Sequence, residues 1–221
     1  MKRTLTITAI AALSTFAALP LHAGLFITEV APWGSASTTP YAADWFELTN
    51  TGTSAISISN WKMDDNSNAF GSAVPMNGIS SIAPGESVIF METTLASTIT
   101  SFRNTWFGGS TSVQIGMYSG SGVGLSTATD AVNVFDSSGT NLARVDFGAA
   151  TNFQTFENPT DLNNVTLTAL STVGVNGAFA APGDSTQTEI GSPGTAVPEP
   201  STGVALVSGL AGLVGFRRRR A

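Results

Sequence analysis

The sequence predicts an all-β protein, built as a sandwich of two sheets with one short helix. Apolar and polar residues alternate over short runs that glycine, proline and asparagine close, which is typical of sandwich strands joined by turns. One stretch departs from this period of two and follows a helical spacing. The predicted domain, residues 24–194, is long enough to bury a hydrophobic core, and it has no cysteine for disulfides.

The strand-like runs follow one another along the first two thirds of the chain. In the first run, Leu25 and Ile27 share one face while Phe26 and Thr28 share the other. The runs are GLFITEV (24–30), DWFELTNTG (44–52), SAISISNWKM (54–63), SVIFM (87–91), SVQIGMY (112–118) and the hairpin AVNVFDSSGTNLARVDF (131–147). The predicted core consists of Phe46, Leu48, Ile58, Trp61, Val88, Phe90, Val132, Val134 and Phe147.

The helical break and the region after residue 148 complete the predicted domain. Four apolar residues at i, i+4, i+7 and i+11 share one helical face: Leu95, Ile99, Phe102 and Trp106. Their spacing predicts a helix from Thr94 to Phe107 that covers one end of the sandwich. Residues 149–195 are rich in Thr, Asn, Gly and Pro, which predicts one or two edge strands around NNVTLTAL (163–170), then a loop and an extended linker.

Residues 1–23 have the three parts of a signal peptide. Lys2 and Arg3 are basic, an apolar segment covers residues 5–19, and Ala23 is a small residue that allows cleavage before Gly24. The apolar segment is short for a membrane-spanning anchor. We therefore predict export through the Sec translocation machinery and a mature chain that begins at Gly24.

The composition of the predicted domain excludes several kinds of active site. The one histidine, His22, lies in the signal peptide, so neither a histidine-activated nucleophile nor an ordinary zinc site can form. Three basic and fourteen acidic residues fall within residues 24–194, giving a net charge of −11. Such a surface repels polyanions, and nucleic acid is therefore not an expected partner.

Carboxylates remain as the groups that could carry out chemistry. Glu29 and Glu47 lie inside strand-like runs, where charged residues are disfavoured. Together they could form an acid pair, which would favour a metal-dependent, carboxylate-based hydrolase of a glycan or a phosphodiester. Alternatively, Glu47 faces solvent or accepts backbone N–H bonds at the rim of the sandwich, and the domain is then not an enzyme.

Two further features are weighed as binding sites. The run DDNSNAFG begins with the spacing of an EF-hand loop but lacks its glycine and its bidentate acid. A looser calcium site at Asp64, Asp65 and Asn68, which would bridge the domain to an acidic polysaccharide, stays open beside a plain polar turn. Trp33 and Tyr41 flank a Ser/Thr-rich loop, and they either stack on sugars or close the end of the sandwich.

Residues 195–221 combine a Pro-Glu-Pro element, an uncharged apolar run and a basic end. This order resembles the PEP-CTERM sorting signal of Gram-negative envelope proteins. The resemblance implies that exosortase, a membrane transpeptidase, recognises the Pro-Glu-Pro element and removes a helix that holds the chain transiently in the inner membrane. The residues concerned are Val197, Pro198, Glu199 and Pro200 before the apolar run, and Arg217, Arg218, Arg219 and Arg220 after it.

The order of motifs within residues 24–194 resembles a bacterial lamin-tail domain. The matching runs are FITEV, DWFELTNTGTSAISISNWKMDD, IAPGESVIFM, NVFDSSGTNLARVDFG and GSPG, and the matching positions are Trp45, Glu47, Leu48, Asn50, Trp61, Pro84 and Gly85. The resemblance implies an immunoglobulin-like β-sandwich with a binding or structural role. It implies little about chemistry, because one fold supports many functions.

These observations lead to one expected function and one alternative. We expect an exported, exosortase-processed protein of the cell envelope or extracellular matrix, with a non-catalytic β-sandwich linked to exopolysaccharide or biofilm. No cofactor is expected other than the calcium ion considered above. The alternative is the metal-dependent hydrolase.

Overall fold

The computed structural model describes residues 24–183 and 187–195. Within these residues the chain forms fifteen short strands and one helix, which confirms the predicted all-β class. The elements are β1 (Leu25–Ala31), β2 (Trp45–Asn50), β3 (Ile56–Ser57), β4 (Lys62–Asp64), β5 (Val74–Pro75), β6 (Ser81–Ile82), β7 (Ser87–Glu92), α1 (Ala96–Phe107), β8 (Ile115–Tyr118), β9 (Asp130–Phe135), β10 (Asn141–Phe147), β11 (Phe156–Glu157), β12 (Val165–Leu167), β13 (Ala169–Leu170), β14 (Phe179–Ala180) and β15 (Ile190–Gly191).

Two mixed sheets pack face to face as an immunoglobulin-like sandwich. One has six strands in the order β13-β11-β1-β2-β7-β8, and the other has five strands in the order β12-β10-β9-β4-β5. Most neighbours are antiparallel, whereas β8 and β12 join their sheets as parallel edge strands. The remaining described strands form two pairs, β3 with β6 and β14 with β15.

The main hydrophobic core lies between the two sheets. Phe46 from the six-stranded sheet stacks on Phe90 with ring centroids 5.8 Å apart, and it also contacts Tyr118. Phe147 of the five-stranded sheet packs against Phe156. All nine predicted core residues are buried in this cluster, so the alternation assigned the inward faces correctly.

A second apolar cluster lies on the outer face of the six-stranded sheet, under α1. Phe102 and Trp106 of the helix pack edge-on against Trp45 of β2. The prediction of a helix is therefore confirmed, but its predicted position is wrong. The helix covers a face of the six-stranded sheet and not one end of the sandwich. It was also predicted too long at its start: α1 begins at Ala96, and Leu95, assigned to its buried stripe, is 60% exposed.

Residues 150–195 complete both sheets. β11 and β13 extend the six-stranded sheet beyond β1, and β12 extends the five-stranded sheet beyond β10. The extended linker predicted for the end of this region is not observed as far as residue 194, because Glu189, Gly191 and Ser192 are buried against the sandwich. Within the described ranges, no helix is long and apolar enough to cross a membrane.

Candidate functional site

Three glutamates form a row across the outer face of the six-stranded sheet. Glu29 on β1 lies directly opposite Glu47 on β2 and directly opposite Glu157 on β11. Side chains that face each other across a strand pair project to the same side of the sheet. All three side chains are buried. We call Glu29, Glu47 and Glu157 the glutamate row.

A β-bulge in β1 places Glu29 in this row. Strict alternation would put Glu29 on the inward face with Leu25 and Ile27. The register between β1 and β2 shifts between Ile27 and Glu29, so Thr28 is an extra residue in the strand. The shift turns Glu29 outward and Val30 into the main core. The bulge thereby keeps a carboxylate out of the apolar interior.

The C-terminal segment, residues 189–195, supplies hydrogen bonds to two members of the glutamate row. The N–H of Ser192 donates to Glu29 Oε1 at 2.7 Å, and the N–H of Gly194 donates to Glu47 Oε2 at 2.5 Å. Thr28 Oγ1 donates to the other oxygen of Glu47 at 2.7 Å. Bonds of this kind to a carboxylate are stronger than those between neutral groups. The two glutamates therefore hold the segment on the sheet.

Glycines allow this segment to lie close to the sheet. A Cβ on Gly191 would come within 2.5 Å of Glu29 Oε1 and 3.0 Å of the Trp106 ring. Gly194 has φ +75°, a backbone conformation that residues other than glycine rarely adopt. A Cβ added at this position would lie 2.4 Å from the side chain of Val113. Glycine is thus required at both ends of the GSPG run, because a side chain at either position would collide with the sheet or its neighbours.

Glu157 is the least hydrogen-bonded member of the row. Its Oε2 accepts a bond from Asn176 Nδ2 at 3.0 Å, whereas its Oε1 and Glu29 Oε2 have no partner among the described residues. A cavity of about 10 Å³ adjoins Glu47 and Glu157. This is about the space of one water molecule, so a sugar or a nucleotide cannot enter.

Burial raises the pKa of two glutamates in the row. The pKa of Glu29 is raised well above its ordinary value, first by loss of hydration and next by the negative charge of Glu47. Burial likewise raises the pKa of Glu47 to about 7, although its hydrogen bonds oppose the shift. Each group is consequently easier to protonate than an exposed glutamate. An acid pair exists here, but it lies out of reach of a polymeric substrate.

A second pair of carboxylates lies near the start of β2 and the end of β7. Asp44 is buried and accepts bonds from the N–H and the hydroxyl of Ser35 at 2.8 and 2.9 Å. Burial raises the pKa of Asp44. It also raises the pKa of the half-buried Glu92, and the neighbouring charge of Asp44 adds to that rise. Glu92 is therefore more accessible than the glutamate row, whereas Asp44 is equally buried.

The predicted calcium ligands belong to a self-contained loop. Asp64 is buried, and its carboxylate accepts bonds from Ser67 Oγ, the N–H of Ala69 and Ser72 Oγ. Asp65 Oδ1 accepts the N–H of Ser67, and Asn68 Oδ1 accepts an amide bond from Asn141. Within residues 24–183 and 187–195, no three acidic or histidine side chains are arranged to hold a metal ion. Calcium binding at Asp64, Asp65 and Asn68 stays a prediction.

Sugar stacking on Trp33 or Tyr41 is ruled out by their burial. Trp33 is fully buried, packs against Phe153 and donates its Nε1–H to Gln154 O at 2.8 Å. Tyr41 is 3% exposed and donates its hydroxyl to Glu189 Oε2 at 2.6 Å. Both rings belong to the apolar cluster under α1, so their role is to pack the fold.

Part of this site could not be predicted from local sequence patterns. Glu157 joins Glu29 only through long-range strand pairing, and no local motif marks it. Ser192 and Gly194 lie in the GSPG run, but nothing in that run indicates that its N–H groups bind Glu29 and Glu47. Of the predicted processing residues, Gly24 is described and its N–H donates to Thr51 Oγ1 at 3.2 Å. Ala23, the Val197–Pro200 element and the Arg217–Arg220 cluster lie outside the described residues.

Two family models match the chain. The Lamin Tail Domain matches residues 21–149, and the PEP-CTERM protein-sorting motif matches residues 196–220. No curated protein and no solved structure matches. Residues 150–195 lie between the two matches and supply Glu157 together with the segment that covers the glutamate row.

Proposed function

Because this chain belongs to the Lamin Tail Domain family and carries a PEP-CTERM protein-sorting motif, we propose that it is a non-catalytic component of the extracellular polysaccharide matrix. The sorting motif marks an exported protein that is targeted to exosortase. Neither family is a catalytic one. In this proposal the β-sandwich, residues 24–194, is the part of the protein that acts in the matrix. The two ends of the chain direct it to the cell surface.

One observation carries the non-catalytic role. The acid pair of Glu29 and Glu47 is covered by Ser192 and Gly194, two residues of the segment that leads directly into the sorting motif. A catalytic acid must reach the proton or the bond that it acts on. These glutamates instead bind backbone N–H groups of their own chain, which is a structural task.

The proposed route begins with the Sec machinery and ends at exosortase. The apolar run after Pro200 holds the chain in the inner membrane, with Arg217–Arg220 on the cytoplasmic side, until cleavage leaves the mature domain in the envelope or matrix. Gly194, the last residue bonded to the glutamate row, stands four positions before Pro198. That spacing spans at most about 14 Å of extended chain, so cleavage takes place close to the folded domain.

Alanine at Pro198, Glu199 and Pro200 tests the route. We expect the variant to keep its full C-terminal mass and stay in the membrane fraction, while Ser208→Ala, which leaves the Pro-Glu-Pro element intact, is cut normally. Intact-mass spectrometry of native material measures both ends. A triple variant of normal mature mass would show that the sorting assignment is wrong.

The hydrolase alternative is tested by activity. We expect no turnover of glycan or phosphodiester substrates by the full chain, with or without divalent metal. Turnover that a chelator abolishes and that Glu92→Gln or Glu47→Gln removes would replace the proposed function by the alternative. The first variant reports on the more accessible Glu92, and the second reports on the glutamate row.

A further inference from the structure

A polar groove lies along the first half of β10, between the loop after β4 and the residues that precede β12. Its volume is about 240 Å³, less than the roughly 300–1,000 Å³ typical of sites for drug-sized ligands. It is therefore sized for a single unit of a longer chain. We call it the asparagine groove, after the residues that line it: Asn68, Asn141, Leu142, Arg144, Asn163 and Asn164.

Internal hydrogen bonds fix the amides of the groove and leave defined atoms free. Asn141 Nδ2 donates to Asn68 Oδ1 at 2.8 Å and to Asn133 Oδ1 at 2.9 Å. Asn163 Nδ2 donates to the carbonyls of Leu142 and Leu25 at 3.1 and 3.2 Å. The Oδ1 atom of Asn141 accepts no hydrogen bond from another described residue, so it remains as an acceptor in the groove. Asn163 Oδ1 is buried away from solvent and is not counted among the acceptors that a ligand can reach.

Donors are also present at the rim of the groove. Asn68 and Asn164 have φ +50° and +59°, and both side chains are exposed. The Nδ2 atom of Asn68 and both polar side-chain atoms of Asn164 make no hydrogen bond to another described residue, whereas the backbone N–H of Asn164 donates to Arg144 O at 2.7 Å. A hydroxyl group both donates and accepts, so a set of fixed amides that offers both functions matches a polyhydroxyl ligand.

The charge of the groove is balanced. Arg144 is its one charged residue, and it makes a two-bond contact with Asp146, at 2.5 Å from Nη2 and 3.2 Å from Nε. Its Nη1 donates to Asn133 Oδ1 at 2.9 Å. With the cation neutralised and the domain acidic overall, an anionic ligand gains no attraction here. Leu142 is 38% exposed and adds an apolar contact surface.

From this chemistry we propose that the asparagine groove binds one neutral sugar unit of an extracellular polysaccharide. The amides recognise hydroxyl groups, and Leu142 contacts the C–H face of the ring. The inference rests on the proposed matrix function and gives it a ligand class and a site. Each contact is weak alone, and retention on a polymer comes from many repeats of the sugar and many copies of the protein.

Binding of neutral polysaccharides by the full chain, purified in detergent, tests the site. The probes are dextran, mannan and galactan in affinity electrophoresis, with polygalacturonate and calcium as the acidic arm. We expect retardation by at least one neutral polymer that neither chelator nor salt removes. Asn68→Gly and Asn164→Gly keep the left-handed backbone and remove an amide, and each should weaken binding about three- to tenfold.

Asn60→Gly is the matched control. Asn60 has φ +63°, is exposed and does not line the groove, so its variant should bind like the original chain. Equal binding by all three variants, or failure to bind any neutral probe, would overturn the groove assignment. Calcium-dependent binding to polygalacturonate alone would do the same and favour bridging by carboxylates. Tail processing, measured on the same preparations, tests the sorting part of the proposed function separately.

Discussion

The two faces of the six-stranded sheet carry opposite chemistry on the same strands. On β2, Phe46 and Leu48 point into the main core, while Glu47 between them points outward into the glutamate row. The inner face buries mostly apolar side chains and carries no carboxylate among the residues of β2. The outer face is apolar under α1 and polar beneath the C-terminal segment, where Glu29 and Glu47 accept its N–H groups.

This contrast separates two sources of stability. Apolar burial is non-directional and does not depend on protonation. A buried carboxylate, by contrast, loses its hydration and is stable only if it is hydrogen-bonded or protonated. The outer face therefore links the stability of the domain to pH and to the segment that precedes the sorting motif. Four predictions, in order of decreasing effect, test this separation.

The largest effect is expected on the inner face. Phe46→Ala removes a fully buried ring that contacts Phe90 and Tyr118, and should lower the free energy of unfolding by about 3–5 kcal/mol. Denaturant unfolding of the full chain measures it. The loss should be similar at pH 5 and pH 8. Val173→Ala, at a position 56% exposed, is the control and should change little. A small loss for Phe46→Ala would mean that the strand register is misassigned.

The next effect is the pH dependence of the outer face. The pKa of Glu47 rises from 4.5 to about 7 on folding, so its contribution is fully present below pH 4.5 and is lost as pH rises through 7. The pKa of Glu29 shifts in the same direction, and the negative charges of Glu47 and Glu157 on either side of it add to the rise. Stability should fall by roughly 1–3 kcal/mol between pH 5 and pH 8.

Glu47→Gln provides the comparison for this pH series. The variant cannot ionise at position 47, so its stability should change less between pH 5 and pH 8 than that of the original chain. Unfolding curves at four pH values suffice. Equal pH dependence in both proteins would show that Glu47 does not titrate as its burial requires.

An effect of similar size is expected where the segment lies against the sheet. Gly191→Ala places a methyl group 2.5 Å from Glu29 Oε1 and 3.0 Å from Trp106, so either the segment or these side chains must shift. Overpacking of this kind costs about 1–3 kcal/mol. Hydrogen exchange should rise in residues 189–195. Gly148→Ala, where a Cβ meets nothing within 4 Å, is the matched control. Unchanged exchange at Gly191→Ala would indicate that the segment does not lie on the sheet.

The smallest effect is expected at the edge of the row. Asn176 has φ +48° and donates its amide to Glu157, so Asn176→Gly keeps the backbone and removes one hydrogen bond. A loss of about 0.5–1.5 kcal/mol is expected. Asn60→Gly, which has similar geometry but no such bond, should be neutral or nearly so. If the two variants lost equal stability, the loss would belong to the backbone and not to Glu157.

The sequence by itself determined the longer strands and, apart from the β1 bulge, their inward faces. Alternation and turn residues act between near neighbours, so Phe46, Leu48 and Trp61 could be assigned to the core without a structure. The two ends carry contiguous motifs, and the predicted sorting signal agrees with the family match at residues 196–220. The exclusion of histidine chemistry stays a prediction, because it depends on removal of the predicted signal peptide, in which the one histidine, His22, lies.

The tertiary structure decided which side chains meet. The β1 bulge moved Glu29 to the outer face, and pairing with β11 brought in Glu157 from 128 positions away in the sequence. Burial of Trp33 and Tyr41, and the placement of α1 over the sheet, depend on the same long-range packing. Strand register, and which segment packs over which face of a sheet, arise from contacts between residues that are distant in the sequence. A local sequence pattern therefore cannot predict them.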